Sequence, residues 1–170
     1  MQETPQEYRK SMLAHSEGRD ALKLQAAAPG KLERMLKGVA SSKLRKRPAP
    51  GKWSVAEIVA HLADSEIARA WRMRMILSAP GTTLQAFDQD QWAVALHYDK
   101  RDARESLKQF RALREANLAL LETLTPDQWK HFGVHQERGE EFIETISLMS
   151  AGHDINHLNQ IAAILAAKKA

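Results

Sequence analysis

The 170-residue sequence predicts an all-α fold, a four-helix bundle that forms a single domain over residues 1–170. Glycine and proline gather at a few places, such as Ala28–Gly30 and Arg47–Gly51, and leave long stretches uninterrupted. Those stretches carry apolar residues at helical spacing. No stretch shows convincingly the β-branched alternation of a strand. Four long amphipathic helices fit into a chain of this length.

The first two helices lie in the N-terminal half of the sequence. The first helical region covers residues 3–40, and Pro29 is expected to bend or divide it. The second helix begins at Ser54, which can cap it, while Glu57 three residues later completes a capping box. This helix is predicted to end near Ser78. A long connection follows, with a short helix around Gln89–Leu96.

The last two helices follow this connection. The third is predicted at about Lys100–Thr123, and Thr125 and Pro126 then mark a further helix start. The segment from His131 to Glu140 is irregular in pattern. The fourth long helix is predicted at about Glu140–Lys168.

Composition excludes several kinds of site. The chain has no cysteine, so disulfides, thiolate metal sites and a cysteine nucleophile are excluded. There is neither a signal-peptide pattern nor an apolar run of about 18 residues, which predicts a cytoplasmic protein. The net charge is +4, and Ser42–Lys52 carries five bases and no acid. Because no aromatic residues interleave with these bases, we favour a solvated loop over a nucleic-acid surface.

Three histidines are predicted to face the interior of the bundle. His153 and His157 are separated by one helical turn on the apolar stripe of the fourth helix, and His61 lies on the inward stripe of the second. Three imidazoles can form an open metal site, because three protein ligands leave a position for water or substrate. The alternative is a cluster of core histidines that are satisfied separately. No glutamate stands three residues before any of them, which argues against a di-metal site.

Three segments resemble the DinB/YfiT-like superfamily in order and spacing. They are "PAPGKWSVAEIVAHLADSEIARAWRMRMIL", "FDQDQWA" and "GHDINHLNQI", and together they span about residues 49–164. This superfamily consists of four-helix bundles provisionally described as metal-dependent hydrolases, and it includes transferases that act with bacillithiol or related thiols. One departure is "HQERG" at His135–Gly139, where family members often carry an "HPExG"-like turn.

The resemblance implies a metal triad of His61, His153 and His157, with one divalent transition metal. Zinc or nickel is preferred, and iron or manganese is the alternative, since nitrogen ligands disfavour calcium and magnesium. It implies hydrolysis or transfer of a low-molecular-weight thiol, a small-molecule substrate, and a homodimer as one possible assembly. Nucleic-acid and membrane partners are not expected. A non-catalytic, stress-associated metal-binding bundle is the alternative function.

Supporting roles are predicted for a few further polar residues. Asp64 and Gln160 each lie one turn from a candidate ligand and could orient it, and Asp64 is also the candidate general base. An inward Arg72 needs a carboxylate, for which Asp88 or Asp90 is the expected partner; clamping an anionic substrate is the other interpretation. Trp92 and Tyr98 are candidates for the substrate mouth.

Overall fold

The computed structural model describes residues 4–167 and is mainly helical, as the sequence predicts. In chain order its elements are α1 (Pro5–Ser16), α2 (Ala21–Leu36), α3 (Ser41–Arg45), α4 (Val55–Ser78), β1 (Thr83–Leu84), α5 (Gln89–Ala95), a 3₁₀ turn (Tyr98–Lys100), α6 (Ala103–Leu121), α7 (Pro126–Trp129), β2 (Phe132–His135), β3 (Gly139–Phe142) and α8 (Ile143–Ala166). No helix within this described range is long and apolar enough to cross a membrane. The cytoplasmic location stays a prediction.

The long helices α2, α4, α6 and α8 form the predicted four-helix bundle. α4 packs on α6 and α8, α2 packs on α6 and α8, and α1 lies along α8. One apolar cluster, which includes Leu32, Ile58 and Phe110, fills one end of the bundle. A second, which includes Ile76 and Ile143, fills the other end. The predicted long connection between the second and third bundle helices covers residues 79–102 and contains β1, α5 and the 3₁₀ turn.

Helix starts follow the capping signals in the sequence. Ser54 and Glu57 form the predicted capping box of α4, in which each side chain accepts a hydrogen bond from the other residue's backbone N–H. Thr125 caps α7, with Pro126 in its first turn. Asp102 caps α6, so that this helix begins at Ala103 rather than at about residue 100.

The first helical region divides at a different place from the one predicted. Pro29 lies inside α2, and the break falls at residues 17–20, where Gly18 has a φ of +67° and Asp20 caps α2. A proline inside a helix leaves the carbonyl four residues earlier without its backbone donor. Here that carbonyl belongs to Gln25, and it accepts a hydrogen bond from Nη1 of Arg114 at 3.0 Å. A side chain from α6 therefore replaces the bond that Pro29 removes.

A small three-stranded sheet was not predicted. β1 pairs in parallel with β2, and β2 pairs antiparallel with β3 in a hairpin over residues 132–142. β3 takes residues assigned to the start of the last helix, which begins only at Ile143. Gly133 is required in β2, because a Cβ there would lie 2.8 Å from Cγ of Leu84. The sheet covers the end of the bundle where α4 finishes.

A glycine in α8 allows α1 to lie unusually close. A Cβ placed on Gly152 would come within 1.8 Å of the carbonyl oxygen of Met12. Any side chain at this position would therefore push α1 outward. Because Gly152 directly precedes His153, this close contact also lies beside one of the predicted ligands.

The bases in Ser42–Lys52 are partly used within the fold. Arg47 forms an ion pair with Glu57, and Arg45 lies 3.8 Å from a carboxylate oxygen of Asp102. Lys43 donates to the carbonyl of Leu165 at 3.1 Å. These contacts hold the segment against α4, α6 and α8.

Candidate metal centre

The three predicted histidines converge between α4 and α8. Nε2 of His153 lies 2.9 Å from Nε2 of His61 and 3.1 Å from Nε2 of His157. One ligand nitrogen from each ring lies within 4.8 Å of the other two. Tetrahedral coordination with bonds of 2.0–2.1 Å would separate such nitrogens by about 3.3 Å, which is close to the separations of His153 from His61 and from His157.

Burial keeps these imidazoles neutral. Removal from water, followed by the proximity of His157, places the pKa of His61 and His153 well below the ordinary value. The same desolvation lowers the pKa of His157 to about 4. Neutral imidazole is the form that binds a metal ion. The triad is therefore in its ligating form at neutral pH.

The orientation of His157 is fixed from its far side. Its Nδ1 lies 2.9 Å from Oε1 of Gln160. Because that oxygen can only accept, Nδ1 carries the proton and Nε2 presents its lone pair to the other two histidines. Gln160 thus has the position predicted for a residue that orients a ligand. Nδ1 of His153 is buried and has no hydrogen-bond partner among the residues described.

A cavity of about 790 Å³ reaches the triad at His61 and His153. Its wall is built by α1, α4, the loop before α5, the β2–β3 hairpin and α8. Ser65, one turn after His61, also lines it, with Oγ 3.4 Å from Nε2 of His61. A volume of this size suits a small molecule.

Comparison with known proteins agrees with this architecture. The model of the DinB superfamily matches residues 26–161. The chain belongs to the DinB superfamily. A relative from Oceanobacillus iheyensis is 30% identical over 122 residues, which are 72% of this chain and 70% of the relative. YfiT of Bacillus subtilis is 26% identical over 138 residues, 79% of this chain and 78% of YfiT. Both carry the provisional name metal-dependent hydrolase.

A solved structure also shares this fold. The structure of Bacillus subtilis YfiT superposes with a TM-score of 0.79 at 24% sequence identity, and covers 85% of this chain and 83% of YfiT. It is described as having an unusual four-helix bundle topology. The DinB bundle predicted from the sequence is therefore confirmed.

Asp64 of this DinB bundle lies one turn from His61 but bonds in another direction. Its Oδ2 accepts a hydrogen bond from Nη1 of Arg101 at 2.8 Å, and the Tyr98 hydroxyl also bonds to its carboxyl group. Burial, reinforced by this carboxylate, raises the pKa of Tyr98. Asp64 thus ties α4 to the 3₁₀ turn that precedes α6.

The ion pair predicted for Arg72 is wrong. Arg72 instead donates from Nη2 to the carbonyl of Gln85 at 2.7 Å, and its guanidinium lies 5.5 Å from the Phe87 ring centroid. Asp88, one of the two expected partners, accepts from the backbone N–H groups of Asp90 and Gln91 and caps α5. The loop is still tied to α4, but through a carbonyl and an aromatic ring.

Trp92 and Tyr98 do not line the cavity formed by the described residues. Trp92 stacks on Phe87, which does line it, with ring centroids 4.3 Å apart. Tyr98 is buried against Trp53, and Trp53 in turn packs 5.0 Å from the His61 ring. Phe87 and Trp92 therefore stack within the loop, and Trp53 supports the His61 ring from behind.

A buried ionic cluster next to the triad was missed in the sequence. Arg114 of α6 lies between Glu66 of α4 and Asp154 of α8, and all three are at most 2% exposed. Its five N–H groups make five hydrogen bonds: two to Glu66, two to Asp154 and one to Gln25. Burial disfavours charge on Glu66, but Arg114 and Arg69 outweigh it and lower its pKa to about 2.

This ionic cluster connects the two helices that carry the histidines. Asp154 directly follows His153 in α8, while Glu66 lies five residues after His61 in α4. Burial opposes the charge of Arg114, but the two carboxylates outweigh that effect and raise its pKa. In the sequence, this cluster could have been suspected only from opposite charges at inward positions of three different helices. Arg114 therefore helps to hold α4 and α8 at the spacing that the histidines need.

Proposed function

We propose that the protein is a metal-dependent enzyme that holds one divalent transition metal with His61, His153 and His157. The observation that carries this proposal is the convergence of three buried, neutral imidazoles beside a cavity. An all-nitrogen ligand set suits zinc or nickel, and also iron or manganese, better than calcium or magnesium. When bound, such an ion supplies Lewis acidity and lowers the pKa of a water or thiol at an open coordination position.

The residues around the triad would orient the ligands and shape access to them. Gln160 holds His157 in the tautomer that presents Nε2. Trp53 packs on the His61 ring and limits its rotation. Ser65 places a hydroxyl next to the triad, where it can donate to or accept from a substrate. Asp64 stays the candidate general base, although its bond to Arg101 supports a structural role as well.

The reaction is proposed to be one of two: hydrolysis of a small molecule, or transfer of a low-molecular-weight thiol to an electrophile. The names of the relatives favour hydrolysis. Because the chain has no cysteine, a transferase would need its thiol from solution. A screen of both reactions on the metal-loaded protein, using several thiols and one reactive electrophile, separates them. The same screen with Asp64→Asn tests the general base, which is refuted if the rate and its pH profile are unchanged.

Metal content tests the ligand set. We expect purified protein to carry about one metal ion per chain, and His61→Ala or His157→Ala to lose most of it. The matched control is His97→Asn, since His97 is exposed and asparagine tolerates its φ of +52°. Undiminished metal in both triad variants would refute the proposal. A cobalt-substituted protein whose spectrum ignores added thiols and anions would favour a non-catalytic metal-binding bundle.

The open cavity supports the enzyme over that alternative. A purely structural metal site is normally closed by four protein ligands, whereas here His61 and His153 line a space that a small molecule can enter. We also propose that the chain acts as a single DinB-type domain. The homodimer stays a prediction, which size-exclusion chromatography with light scattering would test.

A further inference from the structure

The cavity has a second group of polar residues, away from the triad. Arg72 lies eleven residues after His61, which is about 16 Å along α4. His135 comes from β2, and both residues line the cavity together with Arg138. None of these side chains is needed to hold a metal ion. Their arrangement therefore needs a separate explanation.

His135 presents a buried donor without an acceptor. The residue is 2% exposed, and its Nε2 has no hydrogen-bond partner among residues 4–167. Its Nδ1 accepts from the backbone N–H of Glu137 at 3.2 Å, so the ring proton is on Nε2. Burial, then the charge of Arg138, lowers the pKa of His135 to about 4, so the ring is neutral at pH 7. A buried N–H without an acceptor is unfavourable, and a ligand oxygen would satisfy it.

Arg72 is a cation without a carboxylate. In the part of the chain that the structure describes, Arg69 is paired with Glu66 and Arg138 with Glu141, but no ion pair involves Arg72. Burial, then the nearby charge of Arg138, lowers the pKa of Arg72 to about 10, although the carboxylate of Glu141, which is paired with Arg138, acts in the opposite direction. The guanidinium is therefore still charged at pH 7. A partly buried charge is stabilised by an opposite charge.

The two donors meet at the same end of β1. Leu84 is the register partner of His135, and the next residue, Gln85, provides the carbonyl that binds Arg72. Arg72 is close enough to lower the pKa of His135 further through its charge. One ligand can therefore contact both side chains.

The number of donors favours a carboxylate. One guanidinium and one neutral N–H match the two oxygens of a single carboxylate, whereas a phosphate would leave further charged oxygens without donors. Around these donors, the cavity is also lined by the exposed Asp88, Asp90 and Glu137 and by the buried Glu141, and these carboxylates disfavour a multiply charged anion. The adjacent pair of Arg138 with Glu141, at 2.5 and 3.1 Å, shows the same chemistry within the protein.

We propose that Arg72 and His135 form a subsite that binds the carboxylate of the substrate, while its reacting end lies at the histidine triad. The identification of the ligand as a substrate rests on the proposed function. Carboxylate binding itself does not, because neither residue belongs to the triad. The substrate class is then a small carboxylic acid long enough to reach from Arg72 to the triad.

Titration of the full-length protein with succinate tests the subsite. Nitrogen-15 labelling of the histidines lets NMR follow His135 Nε2, and calorimetry gives the affinity. We expect succinate to shift the His135 signal, and Arg72→Gln to weaken binding roughly tenfold or more. Arg72→Lys should retain part of the affinity. Arg74→Gln is the matched control, because Arg74 lies on the same helix, is exposed and does not line the cavity.

Three results would overturn the subsite. The first is that succinate does not shift the His135 signal in the unsubstituted protein. The second is that Arg72→Gln and the Arg74→Gln control bind succinate with equal affinity. The third is that uncharged succinamide binds as tightly as succinate. Tighter binding of inorganic phosphate than of succinate would overturn the choice of carboxylate. His61→Ala separates the two proposals: it should lose metal and still bind succinate, so either can fail alone.

Discussion

Replacement of Arg114 by methionine tests whether the buried ionic cluster holds the bundle together. The change removes the cation that Glu66 and Asp154 share, so Asp154 is buried without a cation and Glu66 keeps only Arg69. The pKa of Glu66 is lowered from 4.5 to about 2 in the folded protein, which corresponds to about 3 kcal/mol of stability at neutral pH. Removing one partner of a buried ion pair costs about 3–5 kcal/mol. We therefore expect Arg114→Met to lose about that much free energy of unfolding.

The pH dependence of the free energy of unfolding provides a second, independent test of the role of Arg114. Because the folded pKa of Glu66 lies below its unfolded value, its stabilisation is complete above pH 4.5 and is lost as the pH falls towards 2. In Arg114→Met, Asp154 has no cation left and Glu66 keeps only Arg69, so the pKa of both carboxyl groups should rise. Burial already holds the pKa of Asp154 above its ordinary value in the unsubstituted protein, against the effect of Arg114. The deficit of the variant relative to the unsubstituted protein should then shrink as the pH is lowered from 7 to 5.

Urea unfolding of metal-free protein at pH 7 and pH 5 measures both effects. Arg111→Met is the matched control, because Arg111 lies on the same helix and pairs with Glu33 at the surface. Exposed pairs contribute about 0–1 kcal/mol, so this variant should differ little from the unsubstituted protein. A loss below about 1 kcal/mol for Arg114→Met, or a deficit that grows on acidification, would refute the reasoning.

Three further predictions concern the triad and its surroundings. Gly152→Ala should lower the free energy of unfolding in urea by about 1–3 kcal/mol, because the added Cβ would clash with the Met12 carbonyl. Helix propensity alone predicts a rise of about 1 kcal/mol, and such a rise would contradict this prediction. Gln160→Ala should weaken metal binding by about 10–100-fold in a chelator competition, and unchanged affinity would remove its orienting role. The free energy of unfolding of the metal-free protein should decrease as the pH falls from 6.5 towards 4, because the histidines are protonated in the unfolded chain and stay neutral when buried. In His157→Gln this decrease should be smaller. An equal decrease in both proteins would count against the low pKa of His157.

Helix periodicity and capping were sufficient to predict the bundle and the faces of its histidines. The capping box at Ser54 fixes where α4 begins, and the spacing of apolar residues along α4 predicts which side chains face inward. His61 then points at α8, where His153 and His157 share one stripe. These signals are local, because each depends on residues within one helix. Local signals are what a single sequence reveals best.

Contacts between distant segments could not be predicted in the same way. Arg114 is 48 residues from Glu66 and 40 from Asp154, and nothing in the sequence pairs them before the helices are packed. The partner of Arg72 was predicted wrongly because Asp88 is already used as a local helix cap. The need of an inward arginine for a carboxylate favoured an ion pair, whereas in the folded protein Arg72 donates to the backbone carbonyl of Gln85.

The hairpin was missed because its strands are short and not apolar. β2 and β3 have four residues each, and their buried positions include Gly133, His135 and Glu141 rather than large apolar side chains. Glu141 is buried because Arg138 pairs with it from the turn. Burial alternates along β2, and β3 has one buried residue, so the inward positions are occupied by residues that a hydrophobic pattern does not detect.

Anomalous diffraction from crystals of the metal-loaded protein tests the central claim most directly. The claim is that His61, His153 and His157 together bind one metal ion. A single strong peak is expected between the three rings, at about 2.0–2.1 Å from each Nε2 if the metal is zinc. A fully loaded crystal whose peak lies elsewhere, or contacts fewer than two of these histidines, would contradict the account.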